Sequence, residues 1–373
     1  MTSNDGLRVL VVNAGSSSLK LRVLGPADEV LSTADLPALS GAASADAATL
    51  SGTLENFRPV DAVGHRIVHG GPLYQGPALI TDEVRRRLEE LTDLAPLHQP
   101  KSLAALDAVA GLLPSVPAVA CFDTSFHATI PDAAATFALP AEWRSRWALR
   151  RYGFHGLSHS YASARAAEML GDSVATPRIV TCHLGAGASL AAVQGGRSVD
   201  TTMGFTPLDG LVMATRSGSV DPGLVLWLEQ HAGMPPAELA AALESRSGLL
   251  GLTGTADMRA VLARAAAGDA TAVLGRQVYL HRLRGCIATM AAAMDGLDAL
   301  VFTGGVGEHS AEVRSRAAAG LGFLGVRLDE DRNAAPAGAD DYEIGASGAV
   351  VRAFVIAARE DKQIAAEVRA TLH

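Results

Sequence analysis

Residues 7–12, LRVLVV, are an apolar, β-branched run too short for a helix. They are followed by the small residues Asn13-Ala14-Gly15-Ser16-Ser17-Ser18 and then by LKLRVL, where apolar and basic residues alternate. A period of two marks a half-buried strand, so the stretch predicts strand, loop and strand, then a turn at Gly25-Pro26-Ala27-Asp28 and a third strand, EVLST. About 170 residues later the order returns. IVTCHL (179–184) leads into the loop GAGAS, then LAAVQ, the turn Gly195-Gly196 and RSVDT. A repeat of this kind restricts the chain to two similar α/β lobes, and these are expected to face each other across a cleft.

A loop made of residues with almost no side chains bares its backbone N–H groups, and such a row seats an anion, most often a phosphate. A single Gly-x-Gly is equally a tight turn. Two opposed loops are what a nucleotide needs when its phosphates are gripped between lobes, and the arrangement resembles the actin and hexokinase superfamily, with its ribonuclease H-like lobes. The expected division is residues 1–150, with 360–373 returning to them, and 151–359, the break falling where RRYGFHG interrupts the periodicity.

With 373 residues, 49% of them hydrophobic, the chain has material for more than one core. A net charge of -8 and a pI near 5.8 argue against nucleic acid or an anionic membrane as the main partner. Cys121, Cys182 and Cys286 form no CxxC pair and suit a reducing compartment. No run approaches the ~20 apolar residues of a membrane span, and a cytoplasmic location is expected. The helices predicted over 81–94 and 309–324, the latter capped by Ser310, read as structural.

Four further stretches place charge where burial or a loop mouth is expected: GHRIVHGG (64–71), FDTSFHATIP (122–131), RRYGFHGLSH (150–159) and MATRSGSVDPG (213–223). Singly, His65 and His69 read as core histidines, Asp123 as a turn cap, and Arg66 and Arg216 as buried ion-pair partners. Together, two guanidiniums, the imidazole of His155 and a carboxylate at element ends suit a reaction with several anionic oxygens to hold, such as phosphoryl transfer.

The motifs VNAGSSSLKL, GHRIVHGG, APLHQP, FDTSFHATIP, RYGFHGLSH, HLGAGAS, TTMGFTPLDGLVMATRSGSVDP, GLTGTADMR and FTGGVGEHS run nearly end to end, and in this order they resemble the acetate and propionate kinase family. The resemblance implies transfer of the ATP γ-phosphoryl group to acetate, with Mg²⁺ (or Mn²⁺) as cofactor and a homodimer as the assembly. It implies that Arg66 and Arg216 bind the carboxylate and steady the transferring group, that Asp123 is the catalytic acidic residue and that His155 stabilises the transition state. Val68, Leu97, Phe154 and Pro207 match the apolar acyl pocket. Lys20, the loop His183, Leu184, Gly185, Ala186 and Gly187, the run Asp257, Met258 and Arg259, and Gly305, Val306, Gly307, Glu308 and His309 are implied to hold the nucleotide, and Asn13 and Glu360 the metal. Propionate or butyrate kinase activity is the nearest alternative. A nucleotide-driven clamp without transfer is the alternative of another class, and it has no need of the paired arginines.

Overall fold

The computed structural model describes residues 6–15, 18–38, 43–95, 99–335 and 341–373. It divides the chain into two compact units. The first comprises Met1–Ala128, Phe154–Tyr161 and Arg359–His373, and the second Thr129–Gly153 and Ala162–Ala358. The chain therefore leaves the first unit at Ala128, earlier than the boundary at 150 expected from sequence, and returns to it for Phe154–Tyr161. Sequence periodicity missed this because the segment after Ala128 holds only short helices, Asp132–Ala135 and Ala141–Trp147, with no long repeat to mark a change of core.

In the first unit, β1 (Val9–Ala14), β2 (Ser18–Leu24) and β3 (Val30–Pro37) are the hairpin strands read from the sequence. β4 (Ala62–Ile67), β5 (Ala78–Leu79) and β6 (Ala118–Phe122) complete a six-stranded sheet in the order β3-β2-β1-β4-β6-β5. β1, β4 and β6 are parallel, with Val12 opposite His65 and Arg66 opposite Cys121. In the second unit the same pattern recurs. β7 (Arg178–Leu184), β8 (Ala188–Gln194) and β9 (Arg197–Thr201) form a meander, and β10 (Ala299–Thr303), β11 (Tyr342–Glu343) and β12 (Arg352–Val355) extend it in the order β11-β12-β10-β7-β8-β9.

Strand alternation assigns β4 two faces. Val63 and Ile67 point into cores shared with the helix Gln99–Leu112, through Val109 and Leu106 respectively. Gly64 lies on the other face, under the helix Glu360–Leu372. A Cβ on Gly64 would stand 2.4 Å from Ile364 Cγ2 and 2.7 Å from Val368 Cγ2, so only glycine lets that helix settle. Ile364 and Val368 are fully buried there with Val9, Val11 and Val119, each burial worth about 2 kcal/mol.

His65 and His69 are core histidines, as their isolated reading suggests, 2% and 0% exposed. Burial lowers each to about 4. Between roughly pH 6.5 and 4 the unfolded chain then binds protons that the folded chain refuses, so stability falls as pH falls, by roughly 2 kcal/mol per histidine at pH 5. His65→Asn is expected to lose that much less stability between pH 7 and pH 5, measured by urea denaturation. Identical losses in the two proteins would mean that His65 titrates alike folded and unfolded.

Candidate active site

Three parallel strands of the first unit end together. Asn13 is the penultimate residue of β1, Arg66 that of β4, and Asp123 follows the last residue of β6, its N–H donating to Ile67 O at 3.0 Å. The carboxyl ends of parallel strands are where ligands gather in open α/β sheets. Arg66 Nε donates to Asp123 Oδ1 at 3.0 Å, its Nη2 donates to the other carboxylate oxygen, and its Nη1 donates to Asn13 Oδ1 at 3.2 Å. Glu360, the first residue of the helix seated on Gly64, accepts from Asn13 Nδ2 at 3.0 Å and lies 3.9 Å from Arg66 Nε.

Asp123 is 1% exposed. Burial pushes its carboxyl up; Arg66 pulls it back and Glu360 pushes it up again, leaving it at about 6. Burial works against the charge of Arg66, but Asp123 and Glu360 more than restore it, and the guanidinium is held more firmly protonated. The single-residue reading of Arg66 as a buried ion-pair partner is thus its geometry, and its partner is Asp123, which read singly as a turn cap. The site lies in what surrounds that pair, a second acid and an amide, both within reach of the same guanidinium.

The backbone that carries His155 is tied to this cluster. His155 adopts φ 55°, a left-handed conformation that a non-glycine residue holds only when its surroundings compel it. Gly156 N donates to Asp123 O at 2.8 Å, and a Cβ on Gly156 would lie 2.3 Å from that oxygen. Phe154, 1% exposed, packs edge-on against His69 at 5.4 Å, and Val68 is also buried. Leu97 lies outside the described residues. Lys20 is exposed on β2, opposite Asn13 in register.

The second unit holds the other expected residues. Its hairpin loop Gly185-Ala186-Gly187 is closed by Gly185 N donating to Gly187 O at 3.0 Å. Gly304, φ 77°, packs directly on this hairpin, since a Cβ there would meet Leu184 O at 2.9 Å. A cavity of about 760 Å³ opens beside the loop, in the size range of small-molecule sites. Its lining includes Gly185, Ala186, Asp257, Met258, Arg259, Gly305, Val306 and His309. His183 and Leu184 end β7 before the loop, Gly187 closes it, and Gly307 and Glu308 belong to the helix Gly304–His309. Glu308 turns its carboxylate onto the N–H groups of Gly304 and Ala358, at 2.8 and 3.0 Å, a role in loop geometry. Asp257 caps the helix Met258–Ala266 through Arg259 N and pairs with the Arg259 side chain at 2.8 Å.

Two links in this unit escaped the sequence reading. Ala214 N donates to Ala186 O at 3.0 Å, tying the loop that carries Arg216 to the glycine loop. Arg314, 2% exposed, donates to the carbonyls of Gly307, Glu308 and Asn333 and to Asn333 Oδ1, fixing the cavity-lining turn from behind. The signal for Arg314 was present, a cation on the buried face of the helix Ala311–Ala319 beside Val313 and Ala317. Arg216 and Pro207 also meet here, Arg216 Nη1 donating to Pro207 O at 3.3 Å. Among the described residues no helix is long and apolar enough to cross a membrane, and no group of three or more His, Cys, Asp or Glu is arranged for a metal.

Residues 32–366 match the Acetokinase family. An acetate kinase from Nostoc punctiforme is 43% identical over 399 residues, covering 96% of this chain and 98% of the relative. One from Synechococcus is 51% identical over 82% of this chain and 75% of its own length. Among solved structures, the acetate kinase of Porphyromonas gingivalis aligns with a TM-score of 0.90 at 35% identity, covering 99% and 100% of the two chains. A propionate kinase from Francisella tularensis aligns at 0.89 and 34%, covering 98% and 99%.

Proposed function

The chain belongs to the acetokinase family, and from that premise we propose that it transfers the γ-phosphoryl group of ATP to acetate, reversibly, giving acetyl phosphate and ADP. The observation that carries the reading is the buried Arg66–Asp123 pair with Asn13 and Glu360 around it at the strand ends of the first unit, alongside a glycine-loop cavity of nucleotide size in the second.

A carboxylate oxygen needs little activation as a nucleophile, so the work is to hold anions together and spread the charge of a loose transition state. Arg66, oriented by Asp123, presents its guanidinium to the acetate carboxylate and the incoming phosphoryl oxygens. Arg216 also holds anions of the reaction, and His155 donates to the transferring group. Val68, Leu97, Phe154 and Pro207 receive the methyl group. The N–H groups of Ala186 and Gly187 take the phosphates, with Lys20 also serving the nucleotide, and Asp257–Arg259 with Gly305–His309 take the nucleoside.

Asn13 and Glu360 supply an amide oxygen and a carboxylate on adjacent side chains. These are hard donors suited to a Mg²⁺ ion that keeps most of its waters. When bound, the ion neutralises charge on the nucleotide phosphates. The protein is further proposed to be cytoplasmic and homodimeric, and Leu224, Leu226 and Trp227, each about half exposed in the second unit, are apolar surface that a second copy would cover.

Incubation with MgATP, hydroxylamine and acetate, propionate or butyrate tests the reaction and the acid together. Acyl hydroxamate is expected with acetate in excess over the longer acids. An apolar pocket separates acids differing by one methylene by only ~1–3 kcal/mol, so some turnover of propionate is expected too. ATP hydrolysis indifferent to added carboxylate, with no hydroxamate, would overturn the proposal.

A further inference from the structure

The helix Pro236–Ser245 ends on an anomaly. Glu244 lies in its last turn, where backbone carbonyls already concentrate negative potential and a carboxylate is placed at a cost. That turn contains no basic residue to offset it. The offset comes from the loop alongside, where Arg216 Nε stands 3.1 Å from Glu244 Oε2, the two side chains 20% and 23% exposed.

The pairing is reinforced on the backbone. Thr215 Oγ1 donates to Glu244 O at 3.0 Å, Ser217 N to Leu243 O at 3.0 Å, and Ser247 N to Thr215 O at 2.9 Å. Gly248, φ 62°, closes the same contact, since a Cβ there would sit 2.3 Å from Met213 O and 2.6 Å from Arg216 O. The residues on either side of Arg216 are thus bonded to the end of one helix and the turn after it. The guanidinium is gripped on its Nε edge by Glu244 while Nη1 donates to Pro207 O. A guanidinium is a rigid planar fork, so fixing one edge fixes the direction of the remaining N–H groups.

We propose that Glu244 is a positioning residue for phosphoryl transfer: it orients Arg216 and, by sharing its charge, keeps the arginine from binding ground-state anions too tightly. The inference rests on the reading of Arg216 as an anion-holding residue of the reaction. Its two consequences separate in kinetics. Loss of orientation lowers kcat, because the transition state is the species that needs the N–H groups in place. Loss of charge sharing strengthens ground-state anion binding, so the KM for acetate does not rise. A merely structural residue would not give that split, since a partly unfolded loop raises KM as it lowers kcat.

The experiment is a double-mutant cycle of Glu244→Gln, which keeps the side-chain volume, and Arg216→Lys, which keeps a cation but loses the fork. Rates of acetyl phosphate formation are read at saturating MgATP. Glu244→Gln is expected to lower kcat about tenfold in the native background, with the acetate KM unchanged or lower, and less than twofold in the Arg216→Lys background. The same factor in both backgrounds, native kcat in Glu244→Gln, or a raised acetate KM would overturn the proposal. Native kcat in Arg216→Lys alone would instead remove the reading of Arg216 on which it stands, an outcome visible before Glu244 is touched.

Discussion

Arg66→Ala is expected to lower the rate of acetyl phosphate formation by roughly a thousandfold, the scale set by losing a pre-placed cationic donor to a transferring phosphoryl group. The structure adds a stability cost, because Asp123 is buried and Arg66 is its bidentate partner. Removing one member of a buried pair costs roughly 3 kcal/mol or more when the other stays charged. Asp123 has an escape: its carboxyl, already at about 6 with Arg66 present, rises further without it and takes up a proton at neutral pH. The variant should therefore remain folded with a lowered Tm, and raising the pH from 6 to 8 should destabilise it more than the native protein. Thermal melts at the two pH values, beside the hydroxamate assay, check both parts. Native kcat/KM in the folded variant would make Arg66 structural only.

Glu360→Ala should raise the Mg²⁺ concentration needed for half-maximal rate by roughly a hundredfold, since it deletes the only carboxylate assigned to that ion. Titrating ADP into the protein with and without Mg²⁺ gives a readout apart from turnover: in the native protein the metal should strengthen binding, and in the variant it should not. Little change in Tm is expected without nucleotide, because the helix is held by Ile364, Ala365 and Val368 and not by its first residue. An unchanged Mg²⁺ dependence would return Glu360 to the role of a second anion beside Arg66.

Local pattern made a good part of this fold legible. The hairpins β1-β2 and β7-β8 follow from period-two alternation around small-residue loops, and Ser310 caps its helix through Val313 N as its position suggests. In the apolar run 351–358 the strand covers Arg352–Val355, and Val351 pairs in an isolated bridge with Val326. What sequence could not supply is register over long separations. Asn13 and Glu360 are 347 positions apart, and nothing near either residue announces the other. Their meeting depends on a glycine in a third segment, Gly64, admitting a helix. Arg359 shows the same limit at short range. Although Arg359 is the chain neighbour of Glu360, its fork closes on Asp361 at 2.9 Å, because the first helical turn directs residues 360 and 361 to different sides.

The seating of the helix Glu360–Leu372 on Gly64 has a bearing on how the protein is made. The strands it covers leave the ribosome early, but the helix follows only after Ala162–Ala358 has been translated. At ordinary elongation speeds those ~200 residues take roughly 10–40 s. Throughout that interval Val9, Val11 and Val119 lack the cover that Ile364 and Val368 will give them, and by its end the intervening unit has all its own strands and can fold before the helix arrives. A nascent chain stalled at the end of that interval would carry a complete cavity and glycine loop but an uncovered sheet, a form suited to capture by chaperones and to aggregation.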